Sequence, residues 1–195
     1  MNAEHVLVAG PSGGGKTTYL RELHARHDGP SIFLTTKGGE RKAHDRPPER
    51  VRKSSAAYPE DIEQSRQWGR ERSETVQIIV DECQNAPTFR NGDGPLKEGL
   101  HEDRSSGVKW VVATQSPGDL RTSQNGYAPV QQAKYWVWVG PLKTWHTGFM
   151  NANGMSDMKP LLPSDNFAYA VLDPTQSLEP KERIVYRGET NAEFG

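Results

Sequence analysis

The sequence predicts an α/β domain with a mainly parallel sheet, flanked by helices and closed by a C-terminal β-hairpin. Three observations carry this prediction. Short apolar runs alternate with helical stretches from the first residues onward. The run Val76-Gln77-Ile78-Ile79-Val80 is almost wholly apolar and β-branched, as a strand buried on both faces of a parallel sheet must be. A glycine-rich turn, Gly10 to Gly15, separates the first strand from the first helix. The length of 195 residues suits one domain, residues 1 to 195, with a full hydrophobic core.

Each element follows in order. Val6 to Ala9 is a short buried strand. Lys16 to His27 is a helix with Leu20 and Leu23 on its apolar side and Arg21, Glu22 and Arg26 toward water; Asp28-Gly29-Pro30 stops it. Ser31 to Thr36 is the second strand. Residues 37 to 58 are charged and poor in apolar groups, which predicts a long, mobile connection. Pro59 to Arg72 is a polar helix with proline near its first turn. The Val76 to Val80 strand ends in Asp81-Glu82, and a loop rich in Gly, Asn and Pro runs from Asn85 to Gly94. Leu96 to Ser106 is predicted helical, and Val108 to Ala113 is a core strand ending in Thr114-Gln115-Ser116-Pro117. Tyr135 to Val139 is a fifth strand, with core packing on both faces. Asn151 to Met158 reads as a surface loop; Phe167 to Leu172 and Arg183 to Tyr186 form the closing hairpin.

Composition excludes several classes. The longest apolar runs are far too short to span a bilayer. The opening Met-Asn-Ala-Glu-His lacks the basic start and apolar stretch of a signal peptide. Cys83 is the single cysteine, so no disulfide framework or cysteine-based zinc site can form, and a reducing, intracellular setting is expected. Its place beside Glu82 reads as a small core residue. The histidines show no metal-ligand spacing. A net charge of -1 announces no global field for nucleic acid, so any such contact must be local.

The chemistry lies at three strand ends. Gly10-Pro11-Ser12-Gly13-Gly14-Gly15-Lys16-Thr17 satisfies G-x-x-x-x-G-K-[ST] at every fixed position. Glycines let backbone N–H groups turn inward around a phosphate, and the following helix presents its positive end to the same anion. Lys16 is placed to reach the β- and γ-phosphates of ATP, Thr17 to put a hydroxyl on Mg²⁺, and Thr18 completes the phosphate-binding stretch. Asp81 after an apolar strand can hold the metal through water, and Glu82 can deprotonate an attacking water. Gln115, at the next strand end, can hydrogen-bond a γ-phosphate or the lytic water.

The order of these motifs, with Arg104-Ser105-Ser106-Gly107-Val108 leading into Val112-Ala113-Thr114-Gln115-Ser116-Pro117, resembles the FtsK/HerA group of P-loop motors. The compact length is similar to that of genome-packaging ATPases of tailless, membrane-containing viruses of bacteria and archaea. The resemblance spans about residues 4 to 140 with motifs and only loosely thereafter. It implies a RecA-like core and a homo-oligomeric ring, hexamer or pentamer, that hydrolyses ATP and moves double-stranded DNA. It further implies contact with capsid-vertex or membrane proteins, in the host cytoplasm or at the virion vertex. The preference for ATP over GTP rests on the resemblance. So does Arg104 as a catalytic arginine supplied to a neighbouring subunit, with Arg90 and Arg121 as alternatives.

Two stretches are candidates for DNA. Between residues 37 and 53, seven basic side chains outnumber Glu40, Asp45 and Glu49; the loop at 85 to 94 carries Arg90 and Asn91 among glycines. A charge run is more often a solvated loop. Two other activities fit the same phosphate loop. The Gly-Pro-Ser spelling is shared by guanylate-kinase-like enzymes, so a nucleotide or nucleoside kinase stays open, with residues 37 to 53 as its lid. A regulatory module that binds nucleotide without hydrolysing it would make Glu82 dispensable. The Asn-Lys-x-Asp of a GTPase and the Leu-Ser-Gly-Gly of an ABC ATPase are absent from the sequence.

Overall fold

A computed structural model describes residues 3–35, 51–52, 58–85, 95–121, 131–176 and 179–190. Its centre is an eight-stranded sheet. The strands are β1 (Val6–Ala9), β2 (Ser31–Leu34), β3 (Val51–Arg52), β4 (Val76–Val80), β5 (Val108–Thr114), β6 (Tyr135–Val139), β7 (Ala168–Leu172) and β8 (Ile184–Glu189). Their spatial order is β3-β2-β4-β5-β1-β6-β7-β8. The first six run parallel; β7 and β8 add an antiparallel hairpin on β6. The predicted mainly parallel sheet with a C-terminal hairpin is therefore what forms.

Period-two alternation sorts the side chains to two faces. Leu7, Leu34, Ile78, Trp110, Trp136 and Trp138 enter one core; Val8, Phe33, Ile79, Val111, Val137 and Val139 enter the other. Helix α1 (Lys16–Arg26) covers the second face with Tyr19 and Leu20. Helices α2 (Tyr58–Glu71), α3 (Pro95–Glu102) and α4 (Thr147–Ala152) cover the first with Ile62, Leu100, Phe149 and Met150.

Four local expectations change. The connection after β2 contains β3, two residues paired with Phe33 and Leu34; the rest of its basic stretch lies outside the described residues. Helix α3 ends at Glu102, and a turn carries the chain into β5. Glu22, expected in water, is buried beneath Arg26, whose guanidinium lies 3.9 Å from its carboxylate. The stretch from Asn151 to Met158 lies largely at the surface, as expected, but it is a helix end, a turn and a 3-10 helix, with two buried side chains. Gly154, at φ 66°, turns the chain between α4 and a 3-10 helix (Ser156–Leu161), and Met155 and Met158 plug into the core. The polar Asn-Ala-Asn-Gly lettering hides two methionines spaced to reach one face.

The pole at the N-terminal ends of β1 and β5 is held by a buried polar network. Asp103 accepts bonds from Arg66 Nε and Trp110 Nε1, each at 2.8 Å. The Trp110 N–H donates to His5 Nδ1 at 3.1 Å. Burial, with the Arg104 charge adding, lowers the His5 pKa to about 4, so the imidazole stays neutral in the fold. Helix α3 crosses Trp110 at Gly99, where a Cβ would lie 2.3 Å from the indole ring.

Two predictions follow from this pole. Gly99→Ala raises helix propensity, yet overpacking against a fully buried, hydrogen-bonded indole costs about 1–3 kcal/mol and should lower Tm by several degrees. The His5 pKa lies below its ordinary value, so the unfolded chain takes up the proton first. The contribution is complete above pH 6.5 and is lost as pH falls toward about 4. Denaturant titrations across that window should show a shallower loss of stability in His5→Asn, which keeps an acceptor and cannot titrate there.

Candidate nucleotide-binding site

Parallel pairing aligns Ala9 with Thr114 and Val80 with Val112, so β1, β4 and β5 all end at one pole. The glycine loop leaves β1 there and turns into α1. Gly10 passes so close to β6 that a Cβ would sit 1.9 Å from the Val139 carbonyl oxygen. Gly15 caps α1 at φ 104°, a left-handed conformation that L side chains disfavour. A Cβ on Gly13 would point into open space, where the loop forms one wall of a cavity of about 330 Å³. Ser12, Gly13, Gly15, Lys16, Thr17, Thr18, Glu82, Asn85, Gln115 and Phe167 line it.

The charged groups at the cavity are buried and held. The Lys16 ammonium donates to the Pro11 carbonyl at 2.9 Å. Thr17 Oγ1 donates to Asp81 Oδ2 at 3.0 Å. A hydroxyl and a carboxylate in contact beside the glycine loop form the hard oxygen donor pair that suits Mg²⁺. The donor set therefore fits such a metal, and Asp81 and Thr17 are the residues that could hold it.

Glu82 departs from strand geometry at φ 55°, a left-handed conformation that costs a non-glycine residue about 1–3 kcal/mol. That turn swings its carboxylate away from the strand axis. Gln115 Nε2 donates to both carboxylate oxygens, at 2.8 and 2.6 Å. Gln84 Nε2 donates at 2.7 Å and Asn85 Nδ2 at 3.3 Å. Three amides thus orient one carboxylate. Cys83, directly behind it, is fully buried, and burial with the charges of Asp81 and Glu82 pushes its thiol pKa far up, so it stays protonated as a core residue.

The sequence-predicted residues divide by place. Gly10 to Thr18, Asp81, Glu82 and Gln115 come together at this pole. Arg104 does not join them. It sits at the other end of the sheet, half-exposed, with its guanidinium 3.4 Å from Glu4 and its carbonyl accepting the Ala3 N–H. The seven residues of β5 separate it from Gln115 by about 20 Å. Arg121 is exposed just after a 3-10 turn (Pro117–Leu120) that follows Gln115. Arg90, Asn91 and most of the 37–53 stretch lie outside the described residues; of the loop at 85 to 94 only Asn85 is described, lining the cavity.

Two residues at this pole had no signal in the sequence. His146 is fully buried, edge-on to Trp138. The Lys143 N–H donates to its Nδ1 at 3.0 Å, so Nε2 carries the proton and donates to the Gln115 carbonyl at 2.9 Å. Burial lowers its pKa, and the charges of Lys16 and Lys143 add to that, so the ring stays neutral and fixes the backbone beneath Gln115. Phe167, φ 68°, donates its N–H to the Gly14 carbonyl at 2.8 Å and ties the glycine loop to the closing hairpin. Among the described residues no group of three or more His, Cys, Asp or Glu side chains forms a metal cluster, and no helix is long and apolar enough to cross a membrane.

No protein-family model matches the sequence, and no curated protein matches it by sequence. Solved structures do match the fold. The DNA-packaging ATPase B204 from Sulfolobus turreted icosahedral virus aligns with a TM-score of 0.68 at 14% identity, covering 98% of this chain and 100% of that one. The genome-packaging NTPase B204 from Sulfolobus turreted icosahedral virus 2, in complex with ATP-gammaS, aligns at 0.61 and 11% identity, covering 96% and 98%. The cytoplasmic domain of the Thermomonospora curvata type VII secretion ATPase EccC aligns at 0.63 and 15% identity, covering 97% of this chain and 24% of that one. At these identities the likeness is one of fold. The chain has a mainly parallel, helix-flanked sheet and is similar in fold to viral genome-packaging ATPases.

Proposed function

We propose that this chain is a Mg²⁺-dependent ATPase that translocates double-stranded DNA, packaging a viral genome into a preformed capsid. The observation that carries the hydrolytic part is Glu82. A buried carboxylate turned toward the phosphate loop and oriented by Gln115, Gln84 and Asn85 is built to take a proton from water. The kinase alternative would place an acceptor hydroxyl where hydrolysis places water, and a phosphate-transfer assay separates the two.

The roles follow from position. Lys16, now on the Pro11 carbonyl, would meet the β- and γ-phosphates, and backbone N–H groups from Gly13 to Thr18 would cradle them. Thr17 and Asp81 would hold Mg²⁺, which when bound neutralises charge on the outer phosphates. Gln115 would sense the γ-phosphate: hydrogen-bonded to Glu82, it links the state of the phosphates to the end of β5. Arg104 stands at the pole away from its own loop, which supports a role in a neighbouring copy. Head-to-tail contacts of that kind close into rings, here of five or six copies. Residues 37 to 53 and the loop at 85 to 94 are the proposed DNA contacts, made to phosphates without base readout. Partners at the capsid vertex or in a viral membrane, and a place in the host cytoplasm or at the virion vertex, belong to the same proposal. So does ATP over GTP.

Steady-state ATP hydrolysis with and without long duplex DNA, at low and moderate salt, tests this function. Stimulation that fades with salt is expected. Phosphate transfer to a nucleotide acceptor without DNA stimulation would overturn it in favour of the kinase. Glu82→Gln should bind ATP with near-parental affinity while turnover falls at least about 100-fold. Lys16→Ala should lose ATP binding. Equal turnover in Glu82→Gln and the parent would remove Glu82 as the base.

A further inference from the structure

Phe167 occupies a conformation that suits glycine. Its φ is 68°, and both of its backbone groups are engaged: the N–H donates to Gly14, and the carbonyl accepts the Thr190 N–H, each at 2.8 Å. A glycine would supply both bonds with less strain. The bonds therefore explain the backbone and leave the phenyl ring to be accounted for. That ring is 45% exposed and lines the phosphate cavity, with its edge against Gly15, where a Cβ would lie 2.9 Å from Phe167 Cδ1. A flat, exposed apolar ring thus flanks one side of the loop.

The sheet order says which side. Asp81 and Glu82 follow β4, two places from β1 in one direction; Phe167 precedes β7, two places in the other. A triphosphate with its outer phosphates toward Thr17, Asp81 and Glu82 directs its nucleoside toward Phe167.

We propose that Phe167 is the stacking wall for the base of the bound nucleoside triphosphate. This rests on the phosphate-loop function above and adds the nucleoside end of the site. A phenyl face accepts any base, so the wall favours a nucleotide over bare phosphate and does not choose between adenine and guanine.

Calorimetric titration with Mg-ATP, Mg-GTP and inorganic tripolyphosphate tests the proposal on the parent, Phe167→Gly and Phe167→Trp. Phe167→Gly suits the left-handed backbone, so it should melt close to the parent. Its affinity for ATP and GTP should fall about 10-fold, the scale of one lost base–aromatic stack. Its affinity for tripolyphosphate should not change. Phe167→Trp should keep ATP affinity, with indole fluorescence quenched by ATP and not by tripolyphosphate. Unchanged ATP affinity in Phe167→Gly would overturn the wall, as would equal losses for ATP and tripolyphosphate, which mean the ring only shapes the loop. A parent that binds ATP no better than tripolyphosphate would overturn the wall and leave the phosphate site standing. A parent that binds neither would overturn both.

Discussion

Parallel hydrogen bonding fixes Val80 beside Val112 and Ala9 beside Thr114, with β5 between β4 and β1. The site depends on that interposed strand. If β1 and β4 were neighbours, Gln115 would be displaced from between the glycine loop and the carboxylates. With β5 in place, its end drops Gln115 onto Glu82, while Thr17 reaches across to Asp81 from the first turn of α1. Adjacent strands lie about 4.8 Å apart, so the five strand ends from β4 to β7 make a row about 20 Å long. That row is long enough to address a whole nucleotide from its outer phosphate to its base.

Holding charge at this pole is expensive. Lys16, Asp81 and Glu82 are each at most 4% exposed, and an unpaired buried charge costs several kcal/mol. The fold offsets this with near neighbours. A carbonyl faces Lys16, a hydroxyl faces Asp81 and three amides face Glu82. Support continues one layer back, where His146 in its neutral form pins the Gln115 carbonyl and Trp138 packs edge-on against His146. Gln115 is therefore held at both its side chain and its backbone.

The opposite pole is built differently. Asp103, Trp110, Arg66 and His5 form a network that knits α2, β5 and the chain before β1, and leaves Arg104 on the surface beside Glu4. Arg104 therefore stands on the turn before β5, a full strand length from the glycine loop.

Much of this was legible in the residues. Short, nearly continuous apolar runs marked β1, β4, β5 and β6 with their bounds nearly right, because a strand buried on both faces is apolar at successive positions. The meeting of the glycine loop, Asp81, Glu82 and Gln115 at one pole was legible because each follows or precedes a core strand, and the ends of parallel strands fall together. Other features came only from tertiary structure. Phe167 and His146 carry no spacing signal; they matter because β7 and the turn after β6 bring them beside Gly15 and Gln115. Met155 and Met158 were hidden in polar lettering until a turn at Gly154 aimed both at the core. Arg104 had a family-like spacing, and only the fold showed it a full strand length from its own loop. Sequence by itself determined the central strands and the glycine loop between β1 and α1, since both follow from local residue pattern and backbone freedom. Strand order, and with it the neighbours of each site residue, was decided by long-range pairing, which local chemistry does not specify.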